Sequence, residues 1–586
     1  MTDAVDFELA PEENGYHSGL IISARVGMHY RYRLESGLFP DPASRFQPAG
    51  PHGPSKIVDY TKFNWSDQGW AGVKRRGQII YELHIGTFTN EGTFLAAAEK
   101  LQYLRDLGVT LIEVMPVADF PGRFGWGYDG VNLYSPTRLY GEPDDFRRFV
   151  DCAHSLGLGV ILDVVYNHFG PDGNYVAQFA PHFFSKRYHN EWGDPLNFDD
   201  EFSEPVRELF IENAAYWIEE FHLDGLRLDA TQQIFDSSPE HLVAAVTRSA
   251  RNAAGGRQIY VVSENEAQEA RMVRPVEVGG CAVDSLWNDD FHHAAMVALT
   301  GRRDAYWGDY RGSAQEFISA AKWGFLYQGQ WGSWRGLRRG GAAMDLQPEH
   351  FVTFLQNHDQ IANTMWGKRV HEVTSPGRLR AMTAWLLLGP STPMLFQGQE
   401  FASTSPFLYF ADHGPELAKA IKAGRLEFRK NFPSVMAEDE LFPMADPGAE
   451  ETFNSCALRW DECSKHEAVL RLHRDLIALR LSQRQIVHAA RGTYDGAVLS
   501  ASAFLIRYLG AEQDCLLLVN LGGELNYDPI SEPLLAPPDR AEWRLLWSSE
   551  DKAYQGCGIV PEVVLSECLR LPAESASFLV AERINA

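Results

Sequence analysis

The feature that most constrains the fold is an alternation of short apolar runs with amphipathic stretches, which begins at Gln78 and repeats eight times. Strand-length apolar runs separated by helix-length amphipathic segments are typical of βα units, in which parallel strands alternate with helices. The eight predicted strands cover residues 78–83, 110–115, 159–164, 225–228, 258–263, 283–287, 351–355 and 392–396.

This repeat predicts an α/β fold class, a closed (β/α)8 TIM barrel. Eight units over roughly 350 residues require long loop insertions, because a plain barrel needs about 250. An open Rossmann-like sheet is the alternative, but no GxGxxG sequence follows the first strand. Apolar spacing predicts one helix over residues 94–107 that Gly108 ends, and Ser203 is predicted to cap a helix that runs to Glu220.

The segments on either side of the barrel lack this alternation, so three domains are predicted. Residues 1–72 form a small, short N-terminal β module, carbohydrate-binding-like, with strand-like pieces at 20–24 and 29–34 and a Pro/Gly-rich linker. Residues 73–477 form the catalytic barrel. Residues 478–586 contain short strands with turn signals and are predicted to form an all-β C-terminal domain of the sandwich type.

Charge and hydropathy exclude several classes of partner. The chain of 586 residues has 53 Lys and Arg against 78 Asp and Glu, a net charge of −25, which repels phosphate backbones and anionic membrane surfaces. Nucleic acid and membranes are therefore not expected partners. The first residues, MTDAVDF, are acidic where a signal peptide is basic, and no apolar run approaches about 18 residues, so we expect a cytoplasmic protein.

Polar side chains follow four of the predicted strands directly. Because the active site of a TIM barrel lies at the carboxyl ends of its strands, these side chains are expected to meet at one mouth. They are Asp163 and His168 after the third strand, Arg227 and Asp229 on the fourth, Glu264 after the fifth, and His358 and Asp359 after the seventh.

This set of carboxylates suits cleavage of a glycosidic bond, which needs one ionised and one protonated carboxyl group. We expect Arg227, on the same strand face, to keep Asp229 ionised as the nucleophile of a retaining mechanism. The neighbouring carboxylates are expected to raise the pKa of Glu264, the general acid and base, which is preferred to Glu266 because it directly follows the strand. Asp359 is expected to stabilise the transition state, and the two histidines to donate hydrogen bonds to sugar hydroxyls.

Four motifs, DVVYNH, DGLRLDA, VVSENE and QNHDQ, resemble the signature regions of the α-amylase family of glycoside hydrolases, in the same order. The resemblance covers roughly residues 40–586 and implies the same three roles for Asp229, Glu264 and Asp359. It further implies substrate contacts at Arg227, His168, His358 and, in WGYDG, Tyr128 and Asp129.

Further stretches, among them YELHIGTFTNEGTF and LFQGQEFASTSPFLYFADH, resemble the family members that cleave the α-1,4 bond between a maltooligosaccharide and a terminal trehalose. That resemblance implies maltooligosyl trehalose, or another α-1,4-glucan, as the substrate, and functional pairing with a maltooligosyl trehalose synthase. A 1,4-α-glucan branching enzyme or another α-glucan hydrolase is the alternative, although branching enzymes usually have SHD and GFRFD where this chain has NHD and GLRLD. A catalytically dead glycan-binding protein is a remote alternative, because all three acids are present.

The remaining candidates are weaker. Trp126 and Trp287 are expected to stack on sugar rings, since they lie in loops or strand ends at the predicted mouth. Asp290, in WNDDFHH, and Asp163 are expected to bind sugar hydroxyls. The mechanism needs no cofactor and no catalytic metal, and the sequence leaves a structural calcium ion open.

Overall fold

Eight parallel strands close into a barrel in the computed structural model, which describes residues 5–363, 367–433, 444–529, 531–559, 562–564 and 568–584. Each strand pairs with the next one along the chain, and the last pairs with the first through Met394 and Ile80. The predicted fold class is therefore confirmed. The strands are β1 Ile80–Leu83, β2 Leu111–Val114, β3 Gly159–Val164, β4 Gly225–Leu228, β5 Tyr260–Ser263, β6 Ser285–Trp287, β7 Phe351–Phe354 and β8 Thr392–Phe396.

Helices surround the barrel, and most of the longer ones pack through buried apolar faces, whereas Pro415–Arg429 has no buried residue. The longer helices are Leu101–Leu107, Pro143–Ser155, Ser203–Glu220, Leu242–Ala253, Asp289–Thr300, Ala314–Trp323, Pro376–Leu388, Pro415–Arg429 and Glu467–Ser482.

Two details of the predicted helices are wrong. The helix predicted over residues 94–107 is two helices, Phe94–Ala98 and Leu101–Leu107, because the chain turns at Glu99 and Lys100 while the apolar face stays buried on both sides. Gly108 ends the second helix in the left-handed region, φ 101°, as predicted. Ser203 is the first residue of its helix rather than its cap, since Phe202 precedes it with no capping hydrogen bond from its side chain.

The interior of the barrel has two layers. In a strand, alternate side chains point to the same face, so the residue two positions after an inward apolar side chain also points inward. Ile80, Leu111 and Ile161 belong to one buried apolar cluster, together with side chains of β5–β8. Two residues later come Glu82, Glu113 and Asp163, all at most 2% exposed. A charged layer thus lies above the apolar layer, toward the carboxyl ends of the strands.

The C-terminal region contains two antiparallel sheets, of five and three strands. Its strands are β9 Tyr494–Val498, β10 Ala503–Tyr508, β11 Cys515–Asn520, β12 Leu525–Tyr527, β13 Ala541–Ser548, β14 Glu562–Val564, β15 Cys568–Leu571 and β16 Ser575–Arg583. Helix Glu467–Ser482 runs through the proposed boundary at residues 477 and 478. The five-stranded sheet packs on the barrel helices: Phe504 stacks on Phe317, with ring centroids 5.5 Å apart.

The N-terminal region consists of short antiparallel strand pairs. These are Ala10–Pro11 with His17–Ser18, His29–Tyr30 with Ser55–Lys56, and Tyr32–Leu34 with Gly37–Phe39. The strand predicted over residues 20–24 is wrong, because no strand forms there: Leu20 is 91% exposed, and Ile22, 80% exposed, lies in a turn. Among the helices of the described ranges, none combines the length and the apolar character needed to cross a membrane.

Gly225 at the start of β4 is a point where barrel closure depends on the absence of a side chain. Its φ is 146°, and a Cβ atom there would lie 1.9 Å from the carbonyl oxygen of Tyr260 on β5. We expect Gly225→Ala to cost more than about 3 kcal/mol of unfolding free energy, since backbone rather than a flexible side chain must move.

Gly157→Ala is the matched control, because Gly157 also has a positive φ, 78°, but nothing lies within 4 Å of its Cβ position. It should cost only about 1–2 kcal/mol. Thermal and urea unfolding of the two variants measure the difference, and equal losses would contradict the proposed clash.

Candidate active site

The guanidinium of Arg227 is the centre of the site. It projects inward from β4 and is fully buried. Nη1 donates to Asp163 Oδ2 at 2.6 Å and to Asp229 Oδ1 at 2.9 Å, and Nη2 donates to Glu264 Oε2 at 2.8 Å. One cation therefore binds carboxylates from three consecutive strands, β3, β4 and β5, which offsets the cost of burying them together.

Asp229 lies one residue beyond β4, with its side chain 11% exposed. Besides Arg227, the amide of Asn167 donates to its other carboxylate oxygen at 2.7 Å and to its backbone carbonyl at 3.1 Å. The pKa of Asp229 is raised overall, because burial and the charges of Asp163 and Asp359 outweigh the opposing effects of Arg227 and Asn167. Both carboxylate oxygens are thus fixed in direction by donors that favour the ionised form.

Glu264 follows β5 directly and has a side chain that is 20% exposed. Its Oε2 accepts hydrogen bonds from Arg227 and from the backbone N–H of Ala230 at 2.9 Å. Burial, together with the charges of Asp229 and Asp359, raises the pKa of Glu264 to about 7 against the opposing effect of Arg227. This carboxyl group is therefore partly protonated at neutral pH, as a general acid requires.

Asp359 is the most accessible of the three acids, with a side chain 45% exposed. It lies at the start of helix His358–Ala362, after β7, and its charge raises the pKa of both Asp229 and Glu264. Its neighbour His358 is buried, with Nδ1 bonded to Glu82 Oε1 at 2.6 Å and Nε2 3.6 Å from Asp359 Oδ2. Burial lowers the pKa of His358, but Asp359 and Glu82 raise it more, to about 9.

Tyr128, Asp129 and His168 lie at the same mouth. The Tyr128 ring stacks on the ring of His358 at 5.1 Å, and its hydroxyl donates to Asp163 at 2.5 Å. Asp129, with 28% of its side chain exposed, is 3.2 Å from His413 Nε2. Burial lowers the pKa of His168 to about 4, so it is neutral and able to donate to or accept from a hydroxyl.

Several expected substrate contacts are instead buried supports. Trp287 is 1% exposed and lies beneath Arg227, whose guanidinium carbon is 4.2 Å from the ring centroid. Its expected sugar stacking is wrong, because Arg227 covers the ring face. Trp126, 5% exposed, packs against Phe407 and likewise offers no open face. Asp163 and Arg227 lie in the charged layer beneath the acids and reach a substrate only through them.

Asp290 is another expectation that the structure contradicts. It is fully buried and accepts hydrogen bonds from the Tyr310 hydroxyl at 2.5 Å and from the backbone N–H groups of Leu326 and Tyr327. Asp290 therefore holds the segment of Leu326 and Tyr327 in place rather than binding a substrate. Asp289, the residue before it, lies near Glu264 and Glu266, whose charges together with burial raise its pKa to about 8 against the opposing effect of Arg339.

Glu266 is the glutamate to which the sequence analysis did not assign the acid role, and it binds Arg335 rather than Arg227. It pairs with Arg335, whose Nε donates to it at 3.0 Å and whose Nη1 lies 3.1 Å from Glu191. Arg335 thus joins the loop after β5 to the loop that carries Glu191.

Sequence reasoning missed Glu82 and Glu113. Both lie in segments, YELH and IEVM, whose pattern predicts a strand and gives no sign of a functional residue. In both, an acidic residue occupies an inward position of a barrel strand, and that is the signal that could have identified them. Glu82 binds His358, whereas both carboxyl oxygens of Glu113 are buried without a hydrogen-bond partner among the described residues. Burial and the charge of Glu82 raise the pKa of Glu113 well above its ordinary value.

No group of three or more His, Cys, Asp or Glu side chains within the described ranges is arranged to hold a metal ion.

Because burial and Glu82 raise the pKa of Glu113 well above its ordinary value, we expect its carboxyl group to keep its proton, and replacement by the neutral Gln should change little. We expect Glu113→Gln to fold and to keep catalytic activity within about threefold at pH 7, as for a near-isosteric swap. As pH rises above the ordinary carboxyl pKa, the wild type should lose stability relative to the variant, because the unfolded wild type ionises this group while the folded protein keeps it protonated. Unfolding midpoints at pH 6 and pH 9 measure this; a large loss at pH 6 would contradict a protonated Glu113.

Comparison with known proteins agrees with this geometry. The model of the alpha-amylase catalytic domain matches residues 61–197, and a domain of unknown function, DUF3459, matches residues 491–578. A crystal structure of a candidate α-amylase from Salmonella typhimurium superposes with a TM-score of 0.86 at 34% identity, over 98% of this chain and 94% of the other.

Two curated relatives match most of the chain. A malto-oligosyltrehalose trehalohydrolase from Saccharolobus solfataricus is 41% identical over 81% of each chain. A protein of the same name from Deinococcus radiodurans is 40% identical over 85% of this chain and 81% of its own. With this identity over most of its length, the chain belongs to the malto-oligosyltrehalose trehalohydrolases of the α-amylase family of glycoside hydrolases.

Proposed function

We propose that this chain hydrolyses the α-1,4 bond between a maltooligosaccharide and a terminal trehalose unit, releasing trehalose by a retaining mechanism. The names of its relatives support the substrate. The observation that carries the mechanism is the pair of carboxyl groups on neighbouring nitrogens of one guanidinium, Asp229 on Nη1 and Glu264 on Nη2. Close carboxyl groups of unequal pKa are typical of retaining glycosidases.

In the first step, Asp229 attacks the anomeric carbon while Glu264 transfers its proton to the glycosidic oxygen. The bond to trehalose breaks, its electron pair stays with that oxygen, and the maltooligosyl residue remains as an ester of Asp229. Arg227 and Asn167 keep the attacking carboxylate ionised and oriented, since each binds one of its oxygens.

In the second step, Glu264, now ionised, accepts a proton from water. The water oxygen attacks the anomeric carbon and displaces Asp229, so the sugar regains its original configuration and Glu264 its proton. No group outside the site is consumed.

Asp359 and His358 complete the proposed machinery. An accessible carboxylate beside the reacting carbon can accept hydrogen bonds from sugar hydroxyls as positive charge develops on the ring. The His358 cation, held by Glu82, is oriented toward Asp359 through Nε2 and can donate there or to a hydroxyl. We propose Tyr128, Asp129 and His168 as further contacts to this sugar.

The reaction belongs to trehalose biosynthesis from α-glucan. Its substrate must come from a reaction that converts the reducing end of a maltooligosaccharide into trehalose, so a maltooligosyl trehalose synthase is the proposed functional partner.

Product analysis tests the proposed function. The purified chain, incubated with maltooligosyl trehalose, should release trehalose and a maltooligosaccharide shortened by two glucose units. Plain maltooligosaccharides of equal length should be cleaved far more slowly. Formation of α-1,6 branches on amylose without trehalose release would contradict the proposal and indicate a branching enzyme.

Paired variants test the assigned acids. Glu264→Gln should lower kcat by at least about 100-fold, because it removes the proton donor. Glu266→Gln is the matched control and should stay within about fivefold, since it breaks only a partly exposed ion pair. Asp229→Ala should abolish hydrolysis and retain oligosaccharide binding. If Glu266→Gln instead lost activity and Glu264→Gln kept it, Glu266 would be the acid.

The pH dependence of kcat/KM provides a separate test. The general acid must carry its proton, so activity should fall as pH rises through the pKa of Glu264, about 7. Circular dichroism over the same range separates this loss from unfolding. A profile that stays flat to pH 9 would be incompatible with Glu264 as the acid.

A further inference from the structure

A cavity of about 590 Å³ opens at the amino-terminal end of the barrel, on the face opposite the active site. We name it the basal cavity. Its wall is formed where the chain enters β1, β5 and β6, and by the segment that leads to the C-terminal sheet. The basic and imidazole side chains in this wall are Lys74, Arg75, Arg76, Arg251, Arg257 and His488.

This concentration of positive charge contrasts with the chain as a whole, whose net charge is −25. Five of the lining side chains are cations, and Asp284 is the carboxylate that lines the cavity with them. Since a neutral glucan needs no positive field, the catalytic reaction does not explain this wall.

The nearby carboxylates only partly offset the cations. One oxygen of Glu349 lies 2.8 Å from Arg76 Nε and 3.5 Å from Arg75 Nη2, so one charge serves two guanidinium groups. Asp284 lies 3.2 Å from Arg251. The ammonium group of Lys74 has no ion-pair partner among the residues that the structure describes, and the side chain is exposed.

Arg257 is fixed in place at the wall. Its guanidinium donates to the backbone carbonyls of Ile218 and His222, both at 2.8 Å, and lies 3.7 Å from Asp224. Carbonyl oxygens accept from both of its Nη nitrogens, and Asp224, which also binds Trp70 and His154, offsets part of the positive charge. A cation held in this way loses little conformational freedom when an anion binds.

The chemistry of the wall indicates the class of ligand. Arginine forks match the tetrahedral oxygens of a phosphate group, and a lysine adds a mobile point charge. The volume lies within the range of about 300–1,000 Å³ usual for small-molecule sites. A nucleic acid fits poorly, because the net charge of −25 on the chain as a whole would repel the rest of a long polyanion.

We propose that the basal cavity binds a small phosphate-bearing anion, at a site separate from the active site. The phosphate group contacts Lys74 and the arginines of the wall, and its remaining part occupies the outer volume. A ligand here would bind without entering the catalytic mouth.

Calorimetry with the full chain at low ionic strength tests the proposal. The probes are inorganic phosphate, pyrophosphate and glucose 6-phosphate, with glucose as the uncharged control. We expect binding of at least one phosphate probe and none of glucose, with an affinity that falls as salt is added, since exposed charges are screened. Glucose 6-phosphate binding more tightly than inorganic phosphate would identify a sugar phosphate, and equal affinities would identify the phosphate group alone.

Charge variants locate the site. Lys74→Glu should weaken binding at least about tenfold, and the milder Arg75→Gln severalfold, because each reduces the local positive charge. Lys419→Glu, on the exposed face of helix Pro415–Arg429, makes the same change in net charge at a distance and should leave affinity unchanged. Circular dichroism verifies that each variant folds.

Three results would overturn the proposal. They are the absence of binding by every phosphate probe at millimolar concentration, equal affinity of the wild type and Lys74→Glu, and tighter binding of a single-stranded oligonucleotide than of any small probe. Asp229→Ala should bind the probes as the wild type does, so this test remains valid even if the proposed hydrolysis is wrong.

Discussion

The buried guanidinium of Arg227 is the interaction on which the rest of the site depends. Three carboxyl groups from neighbouring strands could not be buried together without a cation, because the repulsion and the loss of hydration would both oppose folding. Arg227 contacts Asp163, Asp229 and Glu264 simultaneously, and Trp287 covers its lower face. Arg227 thus allows the three carboxyl groups to be buried together, and it also gives each of them a different set of hydrogen-bond donors.

That inequality allows acid and base chemistry at one pH. Asp229 receives donors on both oxygens, whereas Glu264 receives both of its described donors on one oxygen and has a pKa of about 7. A second charged pair, Glu82 with His358, stands beneath Asp359 on the other side of the mouth. The charged layer of the barrel therefore lies directly beneath the acids and contacts them. Below it lies the buried apolar layer.

The two ends of the barrel differ in charge. The carboxyl end has acids compensated by one buried arginine, and the amino end has a cavity with more cations than carboxylates. Parallel strands make this separation possible, because every strand contributes one loop to each end. Catalysis and the proposed anion site can thus use the same strands without sharing a residue.

The sequence alone determined the barrel and the positions of the three acids. Strand formation is signalled by local apolar runs, and the order of parallel strands follows from the alternation with helices, so β1–β8 and the residues after them could be predicted. Which side chains open to the cleft was decided only by the tertiary structure. Asp289 and Asp290 are adjacent on one helix, but their directions differ by about 100°, so Asp289 lies near Glu264 whereas Asp290 binds the backbone of Leu326 and Tyr327.

Burial likewise depends on segments distant in the chain. Trp287 lies at a strand end, as a sugar-stacking residue would, yet Arg227 covers its ring. Glu82 and Glu113 lie within apolar runs of the sequence, yet they belong to the charged layer of the barrel. The basal cavity brings together residues 73–76, 251, 257–259, 284 and 488, which no local pattern connects. Sequence periodicity determines whether a segment becomes a helix or a strand. The electrostatics of a site depends on which distant charges the closed barrel brings together.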